Sequence, residues 1–111
     1  MQHSLATLAA QTAAALAAAG IAAESLLPTL RLPAIAAAKA RAAEAAGIGA
    51  ALAHQIHGAI GFTYEHSLHF HTKRLHAWRD EYGGDAEWNE ILGRHLAAAG
   101  ADALWPTLTA I

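Results

Sequence analysis

Alanine is the residue that most constrains the fold of this chain, since it makes up 32 of the 111 residues. It is the best helix former, but its methyl group buries little apolar area. The alanines are concentrated before residue 61, and only Ala77 occurs between residues 61 and 85. The sequence therefore predicts closely packed helices that each gain little hydrophobic energy. We expect them to be stable mainly in an oligomer or as part of something larger.

The spacing of apolar residues and helix breakers predicts four helices. We expect them over residues 3–19 (with a continuation to residue 27 left open), 33–58, 64–82 and 86–99. Pro28 and Pro33 bracket the first connection, because proline removes a backbone donor and restricts the residue before it. The apolar residues 101–111 are expected to dock on the helices as a tail. The predicted fold is all-α: one domain over residues 1–111, an up-and-down bundle of about four helices.

Helix three carries large side chains at spacings of three and four, which should place them on one face. The simplest interpretation is a stripe that packs into the core. Its members are Tyr64, Leu68, His71, Leu75, Trp78 and Tyr82.

No formally charged side chain occurs from Leu5 to Ala23, a length that raises the alternative of a membrane-spanning helix. Polar residues interrupt the segment and no basic flank orients it, so we favour a soluble helix buried against its neighbours. The net charge of −2 gives no pull toward nucleic acid or an anionic membrane surface. The absence of cysteine fits a reducing cytoplasm.

Residues 55–66 combine an amide, two glycines and the start of a helix. Gly58 and Gly61 permit a positive φ or close approach of another group to the backbone. Thr63 is a good N-cap, and Glu65 places negative charge in the first turn of helix three. Free backbone N–H groups at a helix N-terminus favour an anion such as a phosphate. The alternative is a plain corner between two helices, since a Gly-x-x-Gly spacing is weak evidence by itself.

Eight histidines raise the question of a metal site. His54 with His57, and His66 with His69, have the i,i+3 spacing that presents two imidazoles to one ion. Di-metal helical bundles add carboxylates one turn from such histidines, and neither pair has one. The sequence therefore predicts histidines at the surface or at interfaces, and no functional metal site.

Residues 55–66 read Gln-Ile-His-Gly-Ala-Ile-Gly-Phe-Thr-Tyr-Glu-His. This stretch resembles the Gln-x-x-Gly-Gly-x-Gly-Phe signature in the C-terminal helical domain of acyl-CoA dehydrogenases, from which only Ala59 departs. The similarity extends through residues 2–6, 38–46 and 73–75. It implies that residues 1–111 form a C-terminal acyl-CoA dehydrogenase-like domain without its first helix. The family's N-terminal and middle domains are not in this sequence.

Enzymes of that family remove a proton from the α carbon of an acyl-CoA while FAD takes hydride from the β carbon. Their glycine turn lies at a subunit interface and contacts the adenosine-diphosphate part of the neighbour's FAD. Carried over by motif position, this role falls to Gln55, Gly58, Gly61 and the backbone of Ala59. The resemblance also implies a homo-oligomer, or a hetero-oligomer with dehydrogenase subunits, and an acyl-CoA substrate for the complete enzyme.

Many family members carry the catalytic glutamate in a Tyr-Glu-Gly-Thr stretch after this turn. Residues 81–84 read Glu-Tyr-Gly-Gly, so the candidate base, Glu81, is displaced by one position. On a helix that displacement is a rotation of about 100°. Since the absent domains shape most of the pocket, we expect no activity from this chain alone. The alternative function is a non-catalytic helical oligomerisation or interaction module.

Overall fold

The computed structural model describes residues 1–60 and 65–110; for residues 59, 60, 65 and 66 it describes the backbone alone. The elements are α1 (Gln2–Glu24), α2 (Leu32–Ile60), α3 (Glu65–Asp80), α4 (Asp85–Ala99), a 3₁₀ turn (Ala101–Ala103) and α5 (Leu104–Thr109). No strand occurs in these described ranges. The prediction of an all-α fold with four long helices is confirmed, and the predicted tail forms the 3₁₀ turn and α5.

Helix α2 is the centre of the fold, since α1, α3 and α4 all pack against it. Its first half is buried at alternate positions, and residues two apart on a helix point in nearly opposite directions. Burial on both sides follows from the small alanine methyl, which lets neighbouring helices approach from several directions. The buried apolar residues are Ala34, Ala36, Ala38, Ala40, Ala43, Ala50 and Ile56.

Two further contacts fix the directions of α1 and α3 relative to α2. Leu8 of α1 approaches Gly49 of α2: a Cβ added to Gly49 would lie 3.4 Å from Cδ1 of Leu8. Lys39 Nζ donates to the carbonyl of Arg79 at 2.9 Å, at the C-terminal end of α3. Both neighbours therefore run antiparallel to α2.

The chain is elongated and exposes more surface than a compact domain of its size. Its radius of gyration is 16.4 Å, against about 13 Å for a compact domain of this length. Its accessible surface is 7434 Å², against roughly 5,800 Å² for a folded monomer of this mass. The excess follows from an alanine core, which leaves the larger apolar side chains outside.

Helix α1 contains no buried residue, so the prediction that its neighbours within the chain bury it is wrong. Leu5 is 48% exposed and Leu16 is 73% exposed. Among the described residues, α1 alone has the length and mean hydropathy, 1.6, that would allow a helix to cross a membrane. Helices in soluble cores and signal sequences share those two properties, so they are weak evidence for a span.

The predicted core stripe on helix three is also wrong in its C-terminal half. Leu75 is 40%, Trp78 59% and Tyr82 92% exposed. Tyr82 lies beyond the end of α3 at Asp80. Leu75 and Trp78 do follow a helical spacing, but α3 packs on the narrow, alanine-lined α2. That contact does not cover the far end of the stripe.

Candidate functional site

Gln55 and Gly58 lie on the last two turns of α2, the helix that reaches Ile60. Residues three or four apart share one helix face, so Gln55, Gly58 and the backbone of Ala59 lie together. Gln55 is exposed and lines a small cavity of about 100 Å³ with Met1, Ser4 and Ile56. The start of α1 therefore lies beside this part of α2.

Gly58 belongs to the helix itself, although the sequence suggested a turn. It is exposed and does not appear among the residues with positive φ. A Cβ built on Gly58 would meet no atom of the described residues within 4 Å. Glycine costs a helix about 1 kcal/mol relative to alanine. No contact in the described part of the chain explains that cost.

The helical geometry changes which groups this site offers. The backbone N–H groups of Gly58 and Ala59 are directed to carbonyls four residues earlier, as in any α-helix. The side-chain amide of Gln55 therefore supplies the donor and the acceptor on this face. The predicted anion site at the start of helix three, with Gly61 and Thr63, lies outside the described residues.

His54 joins this part of α2 to α3. Its Nε2 atom lies 2.9 Å from Oγ1 of Thr72, and that hydroxyl is also 3.3 Å from the carbonyls of Leu68 and His69. Carbonyls only accept, and a hydroxyl has one hydrogen to give. The hydroxyl of Thr72 therefore links the imidazole of His54 to the backbone of α3.

The members of the two histidine pairs whose side chains are described, His54, His57 and His69, contact other groups of the chain. The ring of His54 packs against the ring of His69, with centroids 4.6 Å apart. His57 donates from Nδ1 to the carbonyl of Ala53 at 2.9 Å, and the side chain of His66 lies outside the described residues. Within residues 1–60 and 65–110, no three His, Cys, Asp or Glu side chains gather as metal ligands.

Glu81 lies far from Gln55 and Gly58. Helix α3 ends at Asp80, and its length separates Glu81 from the end of α2 by roughly 22 Å, at 1.5 Å per residue. Glu81 is exposed in a tight turn, where Tyr82 has a φ of 60° and Gly83 a φ of 100°. Helix α3 thus stops one residue before Glu81, whereas helix three was expected to reach residue 82.

Two residues that join α3 to α2 were missed from the sequence. Thr72 is 5% exposed and is the hydrogen-bond partner of His54. A hydroxyl one turn after His69 was the signal available in the sequence. Lys39, a charged residue in the first half of α2, is half-buried and bonded to α3. The contacts of Thr72 and Lys39 between the two helices become visible only when α3 is packed on α2.

Comparison with known proteins finds a match between this chain and one protein-family model. A family model described as the acyl-CoA dehydrogenase C-terminal domain matches residues 1–97, a span that includes the end of α2 and Glu81. No curated protein and no solved structure matches the chain.

Proposed function

The chain belongs to the acyl-CoA dehydrogenase family through its C-terminal domain, and on that basis we propose that it is the FAD-contacting, oligomerising piece of such an enzyme. The observation that carries the proposal is the exposed face of Gln55 and Gly58, where no described atom lies within 4 Å of a Cβ built on Gly58. The complete enzyme would dehydrogenate an acyl-CoA thioester between its α and β carbons.

The residues on this face fit a flat, anionic cofactor. The amide of Gln55 both donates and accepts hydrogen bonds, and Gly58 leaves room for close approach. After Glu44, α2 carries no Asp or Glu, so no carboxylate of this helix opposes a phosphate. FAD, when bound, supplies the hydride acceptor. The role proposed for this chain is to orient the adenosine-diphosphate part through Gln55.

An uncovered groove supports the oligomerising role. It is an open cavity of about 550 Å³ between α1, α2 and α3, lined by alanines together with Leu8, Leu16 and Leu75. Apolar surface of this kind marks interaction sites. A dehydrogenase subunit, either a second copy or a related chain, would cover the groove and remove the excess accessible surface from water.

The test is size-exclusion chromatography of the chain with added FAD, in which flavin absorbance and protein mass are recorded together. We expect flavin to co-elute with an oligomer, and Gln55→Ala to reduce the co-eluting flavin. Asn89→Ala is the matched control, because it removes an exposed amide from α4. Flavin that stays behind with the wild-type chain would contradict the FAD contact.

The second candidate function is a non-catalytic interaction module. The distance between Glu81 and the Gln55–Gly58 face supports it, since the candidate base and the cofactor face do not meet within one chain. Both candidates predict no acyl-CoA-dependent dye reduction by the purified chain. They differ in the flavin experiment, where an interaction module forms oligomers with no flavin and is insensitive to Gln55→Ala.

A further inference from the structure

A second cavity lies at the opposite end of α2 from Gln55 and Gly58. It has a volume of about 530 Å³ and is formed between the start of α2, the end of α4 and helix α5. Its lining is mostly apolar, with Leu30, Leu32, Pro33 and Pro106 among its walls. Small-molecule sites are commonly 300–1,000 Å³ and mainly apolar, with a few polar groups that fix orientation. The size and lining of this cavity match that description.

The polar groups of this cavity favour an anion. Arg31, His95 and Thr107 line it, and no Asp or Glu is among the described residues that do so. Arg31 forms no ion pair with a described carboxylate. No described carboxylate therefore offsets the positive charge of its guanidinium beside this apolar wall.

Arg31 is held in place by three hydrogen bonds from different parts of the chain. Its backbone N–H donates to the carbonyl of the fully buried Ser25 at 3.2 Å, and its carbonyl accepts from Ile35 at 3.4 Å. Its Nη1 donates to the carbonyl of Ala110 at 3.1 Å. Since a guanidinium has five N–H donors, Nε and Nη2 keep donors for a planar carboxylate.

From this arrangement we propose that the cavity binds a free monocarboxylate with a short, unbranched apolar chain. The carboxylate forms an ion pair with Arg31. Further polar contacts come from His95 and Thr107. The apolar part of the ligand lies against Leu32, Pro33 and Pro106. The site is separate from the Gln55–Gly58 face and does not depend on the function proposed for that face. A bidentate pair with arginine gives the carboxylate its orientation.

The experiment uses octanoate as the probe and follows backbone amide shifts of the labelled chain. We expect saturable shifts in residues 30–35 and 103–110. 1-Octanol, which has the same chain without the charge, should bind about tenfold more weakly or worse, as for loss of a charged hydrogen bond. Equal binding of the two probes would overturn the proposal, and so would octanoate shifts confined to the groove between α1 and α3.

Variants test the role of Arg31 directly. Arg31→Gln should weaken octanoate binding about tenfold or more. Arg94→Gln is the matched control, because Arg94 is an exposed arginine on α4 paired with Glu90, and it should leave binding unchanged. Ala103→Phe, which fills the cavity, should abolish binding while circular dichroism shows the helices intact. Octanoate affinity that is the same in wild type and in both cavity variants would refute the site.

Discussion

The imidazole Nε2 of His54 on α2 lies 2.9 Å from the hydroxyl of Thr72 on α3. This hydrogen bond joins the helix that carries Gln55 and Gly58 to the helix that follows the glycine motif. Thr72 is nearly inaccessible to solvent, so water cannot readily replace either partner. The contact therefore fixes how α3 leaves the proposed cofactor face.

Replacement of Thr72 by valine tests that contact. Thr72→Val keeps the side-chain shape but leaves His54 without its hydrogen-bond partner, so we expect a loss of about 1–2 kcal/mol in the free energy of unfolding. Urea denaturation followed by circular dichroism measures it. Thr12→Val is the control, because the hydroxyl of Thr12 is exposed and bonds only to its own helix. Equal stability of the two variants would show that the His54 contact contributes nothing.

Lys39 stabilises the C-terminal end of α3 through the carbonyls of Arg79 and Trp78, at 2.9 and 3.4 Å. A cation at that end also interacts favourably with the helix dipole. Lys39→Met keeps the apolar stem and should lower the free energy of unfolding by about 1 kcal/mol. Thermal unfolding reports it as a drop of several degrees in Tm. Lys73→Met, on the exposed side of α3, should leave Tm unchanged; a matching drop there would point to a general charge effect.

Gly83 is needed for the turn between α3 and α4. Its φ is 100°, and an added Cβ would lie 2.6 Å from Oε2 of Glu87. Left-handed backbone costs a residue with a Cβ about 1–2 kcal/mol, so Gly83→Ala should destabilise the chain by at least that amount in urea denaturation. Gly93→Ala, in open space on α4, should be stabilising. A neutral Gly83→Ala would mean that the turn can adopt another conformation.

Gly58→Ala should change the stability of the chain and its retention of FAD in opposite directions. The added methyl meets no atom of the described residues within 4 Å, and alanine is favoured in a helix by about 1 kcal/mol. The variant should therefore melt at a higher temperature while retaining less FAD in size exclusion, because the methyl occupies the face proposed for the cofactor. Gly93→Ala is again the control and should change stability alone. Wild-type flavin retention in Gly58→Ala would contradict close approach at this position.

Leu16 should control assembly. It lines the groove between α1, α2 and α3 and is 73% exposed, so Leu16→Glu should cost the folded chain less than about 0.5 kcal/mol. The same charge in a covered groove would be strongly unfavourable. We expect Leu16→Glu to be monomeric by light scattering at concentrations where the wild type assembles. Leu27→Glu, which is equally exposed but outside the groove, should assemble normally; if both variants assemble alike, the groove is not the interface.

The sequence by itself determined the helices. Alanine content, apolar spacing and the Pro28–Pro33 connection act within a few residues, because helix hydrogen bonds join residues four apart. For that reason the four long helices and their approximate ends were predictable. The motif at residues 55–66 also indicated the family that the match over residues 1–97 shows.

Only the tertiary structure decided which faces are covered and which distant residues meet. The stripe of Leu75, Trp78 and Tyr82 had the spacing of a core, but burial depends on what packs against it, and α2 offers small methyl groups. His54 and Thr72 are 18 residues apart in the chain, and Arg31 and Ala110 are 79 apart. Helical periodicity carries no information about such pairs, because they form only when separate helices pack together.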